Sequence, residues 1–148
     1  MAETVPAGWP LSCGPCTLPG MGPKLKLKLQ RQLLTVCRLE PDQAIPAWAL
    51  AGSFFTVTRH AAELAIVCES RLAPKNVRRH GRWRALVVEG PLDLDMTGVL
   101  AAVVCPLAAA GVSLFGASTF DSDYVMVLER DLPRAQAVLR RAGHRVSG

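Results

Sequence analysis

Apolar and polar residues change rhythm several times along the chain, and each rhythm predicts an element. Residues 24–29 alternate Lys with Leu, a period of two. That fits an amphipathic strand or the lead-in to one, with a basic arm as the other reading. Residues 34–39 predict a strand. Residues 41–46 read as a loop, and residues 47–51 as a short helical turn opened by Pro46. Residues 53–59 carry Phe, Thr and Val, which favour a strand. Residues 64–68 predict the next one, and the connection from His60 to Glu63 is short enough for a hairpin. Residues 72–77 read as irregular or as one helical turn. Ala85, Leu86, Val87 and Val88 form an unbroken apolar run within a strand over 83–89, as expected where both faces are covered.

The second half continues with a loop over 90–98 carrying Pro91, Asp93 and Asp95. Thr97 is placed to cap a helix that starts near Gly98 and runs to about Ala110. Gly111 stops that helix. Pro106 lies inside it, where it removes one backbone hydrogen bond and should kink the axis. A strand over 112–120, a tight acidic turn over 121–123 and a return strand over 124–129 follow. Asp131 is placed to cap a last helix with Leu132, Ala135, Val138 and Leu139 on one face. Gly143 ends it, and residues 144–146 form a final short strand. From Trp83 onward the order is strand, helix, strand, strand, helix, strand, the split βαβ or ferredoxin-like pattern. The first half repeats that order with much shorter helices, as two diverged copies of one unit would. The expected fold class is α+β: antiparallel sheets with helices on one face. The expected division is a flexible extension over 1–32, rich in Pro and Gly and then in Lys and Leu; a shorter module over 33–82; and a second module over 83–148.

Composition narrows the function classes. Half of the 148 residues are hydrophobic and the mean hydropathy is +0.24, ample for a core. The net charge is +5, but the basic residues fall in local groups and Tyr124 is the only tyrosine, so stacking platforms for bases are scarce. No nucleic-acid partner is expected. The apolar stretch over 99–117 is shorter than the ~20 residues of a membrane span and is broken by Pro106, Gly111 and Gly116. No secretory leader is visible, and the odd set Cys13, Cys16, Cys37, Cys68 and Cys105 reads as free thiols in a reducing cytoplasm. Cys68 and Cys105 sit in apolar runs and read as core.

Candidate chemistry is sparse. Cys13-Gly-Pro-Cys16 has the spelling of a thiol oxidoreductase site, but no strand precedes it, and Pro10, Pro15 and Pro19 oppose a following helix. No nucleophile elbow, phosphate loop or metal-ligand cluster is present. His60, His80 and His144 are isolated and read as surface residues. Asp93 and Asp95 suit a helix start through its dipole. One constellation fits a zwitterion. Gly98 opens a helix whose free N–H groups favour a carboxylate, and its missing side chain lets a ligand approach. Asp123, at the end of the adjacent strands, suits an ammonium or guanidinium. The plainer readings are a turn glycine, a helix cap at Thr97 and turn-forming Asp121 and Asp123.

Several segments resemble a family of short bacterial ACT-domain proteins. They are Ile45-Pro-Ala-Trp-Ala-Leu50, Phe54-Phe-Thr-Val-Thr-Arg59 and Glu63-Leu-Ala-Ile-Val-Cys68 in the first half. In the second they are Val88-Glu-Gly-Pro-Leu92, Thr97-Gly-Val-Leu100, Pro106-Leu-Ala, Ala110-Gly-Val-Ser-Leu-Phe115 and Ser118-Thr-Phe-Asp-Ser-Asp-Tyr124. The resemblance spans residues 33–146. The family is related to the eukaryotic cytosolic arginine sensor and, more remotely, to regulatory ACT modules of aspartate kinases. It implies a tandem pair of ACT modules in a homodimer, with no catalysis and no cofactor. A small ligand, an amino acid, is held at a module interface. Residues carried over from the sensor's ligand loops are Met96, Thr97, Gly98 and Val99, then Thr119, Phe120, Ser122 and Asp123. The sensor carries an aromatic where this chain has Ser122, which counts against arginine in particular. This chain has half the sensor's modules, so a complete site calls for a second copy. A ligand-free assembly module is the alternative function, and oxidoreductase chemistry through Cys13 and Cys16 a further one.

Overall fold

The computed structural model describes residues 22–93 and 95–148. Seven strands and two helices follow in the order β1 (Lys26–Leu39), β2 (Thr56–His60), β3 (Glu63–Glu69), β4 (Arg78–Val88), α1 (Val99–Ala109), β5 (Leu114–Ser118), β6 (Asp123–Leu128), α2 (Leu132–Arg141) and β7 (Arg145–Ser147). A four-residue 3-10 turn over Ala47–Leu50 takes the place of a helix in the first half, and Pro46 opens it. The class is α+β and ferredoxin-like, as the pattern predicts.

All seven strands join one sheet in the order β2-β3-β1-β4-β6-β5, with β7 on β1. Outward from the β1–β4 seam, both halves repeat the same arrangement: β3 then β2 on one side, β6 then β5 on the other. The Lys/Leu segment takes the strand alternative. Lys28 and Leu29 pair with Val87 and Leu86 of β4, and Lys26 lies parallel to Arg145 of β7. Between Leu29 and Leu33, four residue steps of β1 are matched by two of β4, from Leu86 to Arg84, which is a β-bulge. Before the bulge the second neighbour of β1 is β7; after it, β3.

β4 starts at Arg78, five residues earlier than the strand expected over 83–89. Its first five residues are exposed, so no apolar rhythm marks them; Gly81, at φ +72°, supplies the backbone irregularity that lets pairing with β1 continue. Strand β2 is shorter than residues 53–59 suggest, because Ser53 is drawn into a turn. Its N–H and hydroxyl both donate to the buried Glu69 carboxylate, each at 2.9 Å.

Cross-strand partners point to the same side of a sheet. On one side Leu27, Leu86, Val88, Val125 and Val127 pack under α1 and α2 with Val103, Leu107, Ala135 and Leu139. In the first half, Cys37, Leu39, Leu64, Ile66 and Cys68 pack under Ala49. The opposite side holds Leu34, Val67, Trp83, Ala85 and Met126, flanked by Phe54, Phe115 and Tyr124, and no residue of α1 or α2 joins them. All four residues of the run from Ala85 to Val88 are buried, as expected for a doubly covered strand. Among the described residues no helix is long and apolar enough to cross a membrane.

Two expectations fail here. His144 is buried, at 7% exposure, not a surface residue. Cys37 and Cys68 are buried free thiols, but Cys105 is half-buried on α1 and is not free. Cys13 and Cys16 lie outside the described residues.

Candidate functional site

Helix α1 begins abruptly. Its N-cap is Gly98 at φ +83°, a left-handed conformation that side chains rarely adopt. No side chain caps it. Thr97, expected as the cap, lies one residue too early, because the glycine itself makes the turn into the helix. The first intrahelical bond runs from the Ala102 N–H to the Gly98 carbonyl at 2.9 Å. The N–H groups of Val99, Leu100 and Ala101 therefore have no acceptor within the helix. Among the described residues, nothing lies within 4 Å of where a Cβ on Gly98 would stand.

Opposite this helix start is the β5–β6 turn, whose hydrogen bonds fix its shape. The Thr119 N–H donates to the Ser122 carbonyl at 2.8 Å. The Thr119 hydroxyl donates to the same carbonyl and accepts from the Ser122 N–H, both at 3.2 Å. Ser118 and Asp123 are register partners, and the Ser118 hydroxyl donates to Asp123 Oδ1 at 2.6 Å. Asp123 is on the helix-covered side of the sheet, two residues before Val125. Asp121 acts through its backbone. Its carbonyl accepts from the Leu92 N–H at 3.0 Å, latching the loop after β4 onto the turn. Gly90 makes the latch feasible, since a Cβ there would stand 2.1 Å from the same carbonyl oxygen.

Between these loops is a cavity of about 340 Å³. It brings together Met96, Gly98, Val99, Thr119, Phe120, Ser122 and Asp123 of the residues named from sequence; Thr97 is exposed and does not line it. Leu92, Asp93, Leu100, Ala101 and Ser118 complete the lining. Sequence reasoning assigned Asp93 only to the helix dipole, and Ser118 could have been found from its hairpin register with Asp123. Asp93 Oδ1 accepts from the Asp95 N–H at 3.2 Å, folding the loop back toward the helix. Among the described residues, the two carboxylates of the lining are Asp93 and Asp123, and no Lys, Arg or His lines it. The rim is apolar and open: Phe120 is 76% exposed, Met96 49% and Leu100 42%. The site thus offers unpaired N–H groups for an anion, carboxylates for a cation and apolar walls between them. Among the described residues no group of three His, Cys, Asp or Glu could hold a metal ion.

A sheet of this order with its helices on one side is the ferredoxin-like arrangement. The chain belongs to the ACT-domain family: the model of an ACT domain matches residues 78–141, and a second model, of an N-terminal domain, matches residues 33–76. It is 37% identical to protein Atu0741 from Agrobacterium tumefaciens, with a TM-score of 0.81 over 86% of this chain and 96% of that one. It is 38% identical over 60 residues to subunit 1 of the human cytosolic arginine sensor for mTORC1, a match covering 40% of this chain and 18% of that protein. The regulatory subunit of aspartate kinase from Thermus thermophilus shares the fold, with a TM-score of 0.60 at 12% identity over 78% of this chain and 95% of that one.

Proposed function

We propose that this chain is a non-catalytic cytoplasmic regulatory protein that binds an amino acid in the cleft between α1 and the β5–β6 turn. The carrying observation is the pairing of unsatisfied N–H groups at the start of α1 with Asp123 across one cavity. An α-carboxylate suits the helix start. An ammonium or guanidinium suits Asp123, whose Oδ1 is already steadied by Ser118. The apolar walls suit the carbon skeleton between them. Met96, Thr97, Gly98 and Val99 on one side, and Thr119, Phe120, Ser122 and Asp123 on the other, form the proposed contact set. Thr97 acts there only through its backbone position. The relative named as an arginine sensor and the kinase regulatory subunit support an amino-acid class.

The repeated strand order about the β1–β4 seam supports two tandem modules that share one sheet. The exposed Met96, Leu100 and Phe120 around the cleft support a homodimer that closes over the ligand. The same patch also favours the second reading, an assembly module with no ligand.

Thermal unfolding against the twenty amino acids tests the proposal. Ligand at ten times its dissociation constant adds about 1.4 kcal/mol to native stability. A rise in Tm confined to one or a few amino acids, and lost in Asp123→Ala, is the expected result. No rise for any of them, with a dimer that persists on dilution, would leave the assembly reading standing.

A further inference from the structure

Pro106 leaves a gap in α1 that another element fills. In a regular helix the amide of residue 106 would donate to the carbonyl of Ala102, but proline has no N–H. The Ala102 carbonyl instead meets His144 Nε2 at 3.0 Å. The other ring nitrogen, Nδ1, accepts from the Leu25 N–H at 3.2 Å. Since a carbonyl only accepts, and Nδ1 is taken up by the Leu25 N–H, the ring donates through Nε2. The sequence aims the ring there. Gly143, at φ +94°, turns the chain after α2, and the His144 N–H returns to the Leu139 carbonyl at 3.1 Å.

We infer that His144 is a positioning residue for the ligand cleft: its ring substitutes for the missing amide of Pro106 and fixes the first turn of α1 against the start of β1. This rests on reading the cleft as a ligand site. Ala102 is both the recipient of the ring's hydrogen and the donor that closes the Gly98 turn, so the same residue sets the aim of the three unpaired N–H groups. Removing the ring leaves a buried carbonyl without a partner inside that turn. Ala102 is itself buried, at 8% exposure, which keeps water from compensating.

The test is a rescue. His144→Phe keeps an aromatic ring but no donor. It should speed amide hydrogen exchange at Ala102, whose N–H closes the Gly98 turn, and lower ligand affinity about tenfold, the effect of one lost hydrogen bond. Adding Pro106→Ala restores the helical donor to the Ala102 carbonyl and should bring both readouts most of the way back, although His144 is still absent. His144→Gln, which keeps a donor and an acceptor, should lie between. Long-range 15N correlation of the native ring should show the hydrogen on Nε2. Unchanged exchange at the Ala102 amide in His144→Phe would overturn the inference, as would a failure of Pro106→Ala to restore it. Exchange needs no ligand, so absence of amino-acid binding in the native protein would count against the proposed function alone.

Discussion

Replacing Gly90 by Ala should separate the two loops that form the cleft. A Cβ at residue 90 would stand 2.1 Å from the Asp121 carbonyl oxygen and 2.9 Å from the Leu92 nitrogen. Both are backbone atoms, so no side-chain rotation relieves the overlap. Overpacking of this kind costs about 1–3 kcal/mol. Parting the loops also loses the Leu92 to Asp121 hydrogen bond, worth about 1 kcal/mol net. The sum is about 2–4 kcal/mol, borne by the loop and turn and, through Leu92, by the edge of the core beneath α1 and α2 against which it packs. Gly98→Ala is the control. Among the described residues, nothing occupies the space its Cβ would enter, and the left-handed backbone alone costs about 1–2 kcal/mol. Urea unfolding gives both stabilities, and amide exchange at Leu92 reports the latch directly. The Gly90 variant should show the larger loss and a freely exchanging Leu92. A Gly90 variant with the native midpoint and a protected Leu92 amide would refute the latch, as would a Gly98 variant that is the weaker of the two.

Three further outcomes follow from other parts of the molecule. Glu69→Ala removes the acceptor for Ser53 and should cost about 2 kcal/mol at neutral pH by urea unfolding. The Ser53 N–H, with help from its hydroxyl and Arg71, holds the Glu69 carboxyl below its ordinary range despite burial. Its stabilisation is therefore complete above the unfolded value of ~4.3 and fades as pH falls through the lower native one, so the gap between native protein and variant should close in acid. Burial pushes the Cys68 thiol up to about 12 and raises its hydrogen-bonded neighbour Cys37 as well, so peptide mapping after a thiol reagent should find both unmodified in native protein and modified in urea. Phe120→Ser should change stability by less than about 0.5 kcal/mol, because the ring is 76% exposed, yet weaken ligand binding or self-association measurably by titration calorimetry or sedimentation.

Much of the second half was legible because its signals are local. Gly98, Gly111 and Gly143 punctuate α1 and α2, and all three adopt positive φ. The doubly apolar run from Ala85 to Val88 identified a central strand. What was missed depends on partners far away in sequence. The charged start of β4 pairs with β1, and the buried ring of His144 meets the Leu25 amide and the Ala102 carbonyl, 119 and 42 residues earlier. Thr97 shows the limit of capping rules: a glycine that can turn left-handed displaces the hydroxyl residue before it. The Lys/Leu segment could be read as strand or arm, since period two gives a face but not a neighbour.

The pairing of β1 with β7 bears on how the chain reaches its native state. The Leu25 N–H meets His144 at a sequence separation of 119, and Lys26, Leu27 and Lys28 find Arg145, Val146 and Ser147 at the same separation. Contacts of that range are paid for in loop-closure entropy before they return any stability, and they slow folding relative to local pairings. The hairpin of β2 and β3 and the hairpin of β5 and β6 can close on their own, whereas the front half of β1 has no β7 to meet until α2 has formed and turned at Gly143. During synthesis, Leu25 and Leu27, both buried in the finished molecule, cannot complete that burial until nearly every described residue has left the ribosome. The alternating lysines beside them keep that waiting segment charged and so discourage it from pairing with another chain in the meantime.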